Sequence, residues 1–125
     1  MKKAAVVLSV LLLSLAFAFA APNAPQVTTP VYGDRVGPNI DVKGMTEGRQ
    51  FVVIITDVIL NSTNELIGSV PGIRHWTETD GTFSFRVATP RVRGAWDSNL
   101  TYKVRVFTAR PDEKSPETVI TCTPE

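Results

Sequence analysis

The sequence predicts an all-β protein, an antiparallel β-sandwich of seven to eight strands preceded by an export signal. Three observations support this fold class. Short runs rich in β-branched and aromatic residues recur along the chain, turn-forming residues separate them, and no stretch has a long helical period. The predicted strands cover residues 26–31, 39–43, 50–60, 65–70, 73–79, 82–88, 101–108 and 117–123.

Residues 1–20 have the composition of a secretory signal peptide. Two lysines follow the initiating methionine, a long apolar run comes next, and Ala18 and Ala20 place small residues where signal peptidase reads the chain. We expect cleavage before Ala21, which leaves one domain, residues 21–125, that is secreted or held in the periplasm or cell envelope. The apolar run has no charged flank on its C-terminal side, which argues against an uncleaved membrane anchor. We therefore expect no stable membrane insertion after cleavage.

Charge and cysteine content exclude several classes of protein. The chain has 13 basic and 12 acidic residues, and the signal removes two of the basic ones, so the mature protein is nearly neutral. That balance argues against nucleic-acid binding, which generally relies on an excess of basic residues. Cys122 is the only cysteine, which excludes an intramolecular disulfide. We expect it to be a buried, unreactive thiol, with an intermolecular bridge as the alternative.

Alternation of apolar and polar residues indicates which side chains face the core. The apolar positions of the strands 82–88 and 101–108 share one side of each strand, and they are Phe83, Phe85, Val87, Tyr102, Val104 and Val106. Gly81, just before the first of these strands, suits a tight turn because glycine accepts a positive φ. We therefore predict that residues 73–79 pair with residues 82–88 as a hairpin.

Four short motifs and a long apolar strand occur in an order that carries a family resemblance. They are Pro38-Asn39-Ile40-Asp41-Val42-Lys43-Gly44, the apolar strand, Asp80-Gly81-Thr82-Phe83-Ser84-Phe85, Tyr102-Lys103-Val104-Arg105-Val106 and Ser115-Pro116-Glu117-Thr118. This order resembles bacterial immunoglobulin-like domains, and within them it is most similar to the spore-germination-associated immunoglobulin-like domain. The resemblance implies an exported binding or spacing module without catalytic residues, with Tyr102 at the tyrosine-corner position.

The sequence offers no recognisable set of residues for catalysis, a metal ion or a cofactor, and we expect none. His75 is the only histidine and no Gly-x-Ser-x-Gly motif accompanies it, which argues against zinc and against a serine triad. Glu78 and Asp80 could form a carboxylate pair, but the turn explains Asp80 better. Loop calcium remains open, although solvated turn residues are the favoured reading of the dispersed aspartates Asp34, Asp57, Asp80, Asp97 and Asp112.

Aromatic residues offer a second functional class, a carbohydrate-binding module. Trp76, Trp96 or Tyr32 could stack on sugar rings if its ring is exposed. Trp96 lies in a connection, residues 91–97, where it could instead plug the end of the sandwich. We favour that second role because a buried tryptophan contributes a large apolar area.

The strand 50–60 is apolar on both of its sides, which predicts an interaction face. Thr56 interrupts one apolar row and Asp57 the other, so the sequence leaves open which row faces out. We predict a face for a protein partner or a second copy that is formed by Phe51, Val53, Ile55, Lys103, Arg105 and Phe107. Charged substitutions at Phe107 and at the outward member of the pair Val53/Ile54 should prevent association without unfolding the protein. The alternative is that the loop 91–100 covers the row.

Overall fold

The computed structural model describes residues 23–90, 99–111 and 113–125. The predicted signal peptide, Trp96 and most of the proposed covering loop lie outside these residues, as do Asp97 and Asp112. The described residues form eight strands and no α-helix. The strands are β1 (Gln26–Thr29), β2 (Arg35–Val36), β3 (Asn39–Met45), β4 (Phe51–Leu60), β5 (Glu65–Trp76), β6 (Thr82–Ala88), β7 (Leu100–Thr108) and β8 (Thr118–Pro124).

The eight strands are divided between two sheets. One sheet has the order β1-β3-β6, and the other has the order β2-β8-β7-β4-β5. Neighbouring strands are antiparallel except β2 and β8, which are parallel. The prediction of an all-β protein with seven to eight strands is confirmed for the described part of the chain.

A single apolar cluster contains residues from both sheets. The three-stranded sheet contributes side chains from β3 and β6, and the five-stranded sheet contributes side chains from β4, β7 and β8. Burial of each valine or isoleucine contributes about 1.5–3 kcal/mol, so this cluster is the main source of stability. Its central members are Ile40, Val42, Phe83, Val87, Val52, Ile54, Val58, Tyr102, Val104, Val106, Ile120 and Cys122.

The orientation of β4 follows from the difference between Thr56 and Asp57. The row that contains Thr56 faces the core, where the hydroxyl of Thr56 has no hydrogen-bond partner among the described residues. Asp57 faces the other way, accepts a hydrogen bond of 2.7 Å from Ser69 and lies beside Arg105. Burying an unpaired hydroxyl costs about 1–3 kcal/mol, whereas an unpaired carboxylate costs far more. The inward row is therefore the one that carries the neutral residue.

The predicted hairpin between residues 73–79 and 82–88 is correct only at its turn. The backbone N–H of Gly81 donates to the carbonyl oxygen of Glu78, and that of Glu78 donates to Thr82, each at 2.9 Å. Beyond the turn, β5 pairs with β4 and β6 pairs with β3, in different sheets. The long apolar strand β4 gives β5 a partner along its whole length, and a short turn joins them, so this pairing prevails.

The dipeptide Pro71-Gly72, which separates the predicted strands 65–70 and 73–79, instead lies inside β5. The pairing with β4 shifts register at this point, opposite Ile54 and Ile55, so the strand continues through an irregularity. Proline cannot donate a hydrogen bond to a neighbouring strand, and β5 is an edge strand of its sheet. The two predicted strands on either side of Pro71 are therefore one strand.

Candidate functional site

The outer face of the five-stranded sheet, the side that faces away from the three-stranded sheet, contains all six predicted interface residues. Val53 lies opposite Phe107, and Ile55 lies opposite Arg105. Phe51 extends the row on β4, and Lys103 lies opposite Asp57. The structure thus brings these residues together on adjacent strands.

Two of the six residues are largely covered within the chain itself. Val53 is 6% exposed and Phe107 is 9% exposed. The ammonium of Lys114 lies 4.4 Å from the centre of the Phe107 ring, and Arg74 lies directly across from Val53 on β5. Long cationic side chains commonly cover apolar surface with their hydrocarbon stems. Most of the contact surface available to a partner must therefore come from other residues of the face.

Arg105 belongs to an ion-pair network rather than to a free positive patch. Its Nε lies 2.8 Å from Oδ2 of Asp57, and its Nη1 lies 3.1 Å from Oε2 of Glu117. Lys114 donates to the same Glu117 oxygen at 2.8 Å. This hydrogen bond lowers the pKa of Glu117, partial burial opposes the change, and the charge of Arg105 lowers the pKa further. The network holds β4, β7 and the segment before β8 together.

The exposed apolar side chains of this face lie near its edges. Trp76 at the end of β5 is 50% exposed, and Val119 on β8 is 49% exposed. Val119 lies opposite Arg105, and Leu66, also exposed, lies opposite Ile59. A partner that binds the outer face would contact these residues first.

A concave pocket lies where β4 begins and β5 ends. We call it the arginine pocket; its volume is about 470 Å³, and its walls include Arg49, Phe51, Arg74, Trp76 and Arg110. The rings of Phe51 and Trp76 are 5.5 Å apart at an angle of 75°, and the guanidinium carbon of Arg49 lies 5.2 Å from the centre of the Trp76 ring. These are edge-to-face and cation–π geometries.

Sequence reasoning did not find the arginine pocket because its residues come from three separate segments. Phe51 and Trp76 become neighbours only when β5 pairs with β4. The sequence predicts instead that residues 73–79, which include Trp76, pair with residues 82–88. A hairpin between the strands 50–60 and 65–76 would have placed Arg49 beside Trp76. The short interval between these strands, residues 61–64, is the sequence signal that indicates such a hairpin.

His75 and Asp80, which were candidates for catalysis, contact neighbouring residues of the fold. Nδ1 of His75 lies 2.9 Å from the carbonyl oxygen of Trp76, and its ring lies 5.6 Å from Phe85. The backbone N–H and the hydroxyl of Thr82 both donate to Asp80 and lower the pKa of that carboxyl group. Within the described ranges, no group of three or more histidine, cysteine or acidic side chains is placed to hold a metal ion. No helix in these ranges is long and apolar enough to cross a membrane.

The other predicted aromatic and structural residues have distinct positions. Tyr32 precedes β2 and Trp76 ends β5, and these two strands are the opposite edges of the five-stranded sheet. The hydroxyl of Tyr102 is buried and donates to the carbonyl oxygen of Pro90 at 3.4 Å. Gly81 has a φ of 94°, and Cys122 is fully buried in the core.

The thiol of Cys122 should be unreactive in the native protein. Burial raises its pKa to about 11, and the negative charge of Asp34 adds to the rise. At about pH 8 roughly one thiol in a thousand is then ionised, and the thiolate is the reactive form. We expect negligible labelling by a disulfide reagent until guanidinium chloride unfolds the chain. Rapid native labelling, or a disulfide-linked dimer on a non-reducing gel, would contradict this.

Comparison with known proteins identifies no family. No protein-family model and no curated protein matches the chain. A similar solved structure is Pseudomonas fluorescens alkylpurine DNA glycosylase AlkC bound to DNA containing an abasic site analog, with a TM-score of 0.39 and 13% identity. The match covers 82% of this chain and 30% of the glycosylase, so the chain spans less than a third of that protein. A similarity this weak carries no argument about function.

Proposed function

We propose that the chain is an exported, non-enzymatic immunoglobulin-like module that binds another protein in the cell envelope or outside the cell. The strand order supports the fold assignment. A three-stranded sheet β1-β3-β6 opposes the strands β8-β7-β4-β5, which is compatible with an immunoglobulin-like sandwich whose fourth long strand, β5, pairs in the second sheet and which has β2 as an additional edge strand. The buried Tyr102, whose hydroxyl donates to an upstream carbonyl group, fits the same fold.

The relationship to bacterial immunoglobulin-like domains is part of this proposal. The motif order around Gly44, Gly81 and Tyr102 supports it, together with the placement of these motifs on β3, β6 and β7 of the two sheets. Within that group, the spore-germination-associated domain remains the most similar. The export signal, residues 1–20, supports a location in the envelope or outside the cell.

The observation that carries the binding function is the composition of the outer face. A sheet face in water should carry mainly polar residues, yet this face has the half-buried Phe51 and Ile55 in rows with the covered Val53 and Phe107. Exposed Trp76 and Val119 border these rows, Arg74 lies across from Val53, and Lys114 lies over the Phe107 ring. Aromatic residues and arginine are enriched in protein interfaces.

Substitution of an exposed residue tests this function without disturbing the core. Immobilised wild-type protein should retain a partner protein from an envelope extract, and immobilised Val119→Lys should not retain it. A lysine at this position is poorly accommodated in an apolar contact. Val31→Lys is the matched control, since Val31 is 54% exposed and lies in the connection between β1 and β2. Cross-linking with mass spectrometry identifies the partner, and sedimentation velocity detects a second copy. Equal retention by both variants would refute the proposal.

Carbohydrate binding remains the second candidate because Trp76 and Tyr32 are both exposed. In this case Trp76→Ala should abolish retention on an immobilised polysaccharide, whereas Val119→Lys should have little effect. The guanidinium group of Arg49 already lies over the Trp76 ring, which reduces the surface available for a sugar. We therefore rank protein binding first.

A further inference from the structure

The arginine pocket has an excess of positive charge. Three arginines line it, and no acidic residue of the described ranges does. Arg110 pairs with Glu113 at 3.4 Å, but neither Arg49 nor Arg74 has an ion pair within the described ranges. Arginine matches the geometry of a carboxylate because its planar fork can donate two parallel hydrogen bonds. The pocket is thus complementary to a carboxylate group.

The aromatic wall of the pocket favours a ligand that has an apolar group beside its carboxylate. Phe51 and Trp76 form this wall, and half of the Trp76 surface is exposed. A volume of about 470 Å³ falls within the usual range for small ligands and admits a few side chains rather than a folded domain. A short segment that carries both an acidic and an apolar side chain would fill it.

Two features favour a peptide over an acidic sugar. Arg49 already occupies a position over the Trp76 ring that a stacked sugar would use. In addition, β5 is an edge strand among the described strands, and its last residues, beyond the irregularity at Pro71, end at the pocket. Extended peptides commonly bind by lying along such an edge, where the backbone supplies affinity and adjacent pockets supply specificity.

We propose that the arginine pocket binds an acidic peptide segment of the partner protein. Arg74 and Arg49 hold a glutamate or aspartate carboxylate, and the neighbouring apolar side chain packs against Phe51 and the part of Trp76 that Arg49 does not cover. This inference rests on the proposed protein-binding function and names the chemistry of the segment recognised.

Fluorescence anisotropy with a labelled peptide tests the inference on the full purified protein. The probe is acetyl-Glu-Phe-Glu-Val-Glu-amide, and its counterpart has glutamine in place of each glutamate. The wild type should bind the acidic peptide, bind the neutral one at least about tenfold more weakly, and lose affinity as salt increases. Arg74→Gln should weaken binding about tenfold, because a hydrogen bond to a charged group is lost. Arg49→Gln should act in the same direction.

Arg86→Gln is the matched control, since Arg86 is an exposed arginine on β6 whose ion pair with Asp41 lies on the other sheet. It makes the same change in net charge and should alter affinity less than about twofold. An equal loss with Arg86→Gln, equal binding of both peptides, or no binding of the acidic peptide would overturn the inference. Preferential binding of an oligogalacturonate over the peptide would overturn it in favour of a glycan.

Failure of this inference is distinguishable from failure of the proposed function. If Val119→Lys prevents partner capture while Arg74→Gln retains it and the acidic peptide does not bind, the outer face binds a protein but the arginine pocket does not contribute. If no partner is captured by the wild type, the proposed function itself fails. Thermal unfolding of each variant checks that Arg74→Gln, at an exposed position, remains folded.

Discussion

Gly81→Ala should lower the free energy of unfolding by about 3 kcal/mol. The residue has a φ of 94°, a conformation that an alanine adopts only with strain of about 1–3 kcal/mol. A Cβ atom at this position would also lie 2.2 Å from the carbonyl oxygen of Thr46, far inside van der Waals contact. Because Thr46 donates its backbone N–H to Gly81 at 2.8 Å, relief of the clash would break the contact between the two turns.

Gly48→Ala is the matched control for this prediction. Gly48 has a φ of 71°, but an added Cβ would meet nothing within 4 Å. It should therefore show only the backbone strain, about 1 kcal/mol. Urea unfolding followed by tryptophan fluorescence measures both variants. Equal losses of stability would show that the contact with Thr46 contributes nothing.

Phe107→Ala should also destabilise the protein by about 3 kcal/mol. Removal of a largely buried phenylalanine loses its transfer free energy and leaves a cavity, which together usually amount to about 3–5 kcal/mol. The lower end of this range applies because Phe107 lies on the outer face under Lys114 rather than between the sheets. Sequence analysis treated this position as replaceable without loss of the fold, and its burial now leads us to expect the opposite.

Val119→Ala provides the comparison on the same face. Val119 is half exposed, so its truncation should change the free energy of unfolding by no more than about 0.5 kcal/mol. Denaturant titrations of the two variants, with equal slopes, give the difference. If the two variants have equal free energies of unfolding, the Phe107 ring does not stabilise the fold. Phe107 is then again a candidate contact residue.

The outer face therefore has two roles, which different residues perform. Val53 and Phe107 stabilise the sheet beneath basic side chains, whereas Trp76 and Val119 remain available for contact. Covering the apolar row in this way also limits nonspecific association, which a large open apolar patch would promote. Variants designed to disrupt binding should change the second group and leave the first intact.

Local pattern was enough to predict several features of the fold. Alternation along residues 82–88 and 101–108 correctly assigned Phe83, Val87, Tyr102, Val104 and Val106 to the core, because side chains in a strand alternate between its two sides. The turn at Gly81 was also predictable, since few residues other than glycine adopt its backbone conformation. Each of these signals involves residues that are close together in the sequence, so neither requires knowledge of distant segments.

How the strands pair and which side of β4 faces out depend on tertiary contacts. Residues 73–79 lie next to 82–88 in sequence, yet β5 pairs with β4 because that strand offers a longer apolar partner. The outward position of Asp57 depends on Arg105, which β7 brings from a distant part of the chain to within 2.8 Å. The arginine pocket likewise exists only after Arg49, Arg74 and Arg110 converge. The sequence allows a hairpin on either side of residues 65–79, and the choice between them depends on the combined free energy of packing and ion pairing over the whole fold, which no local pattern encodes.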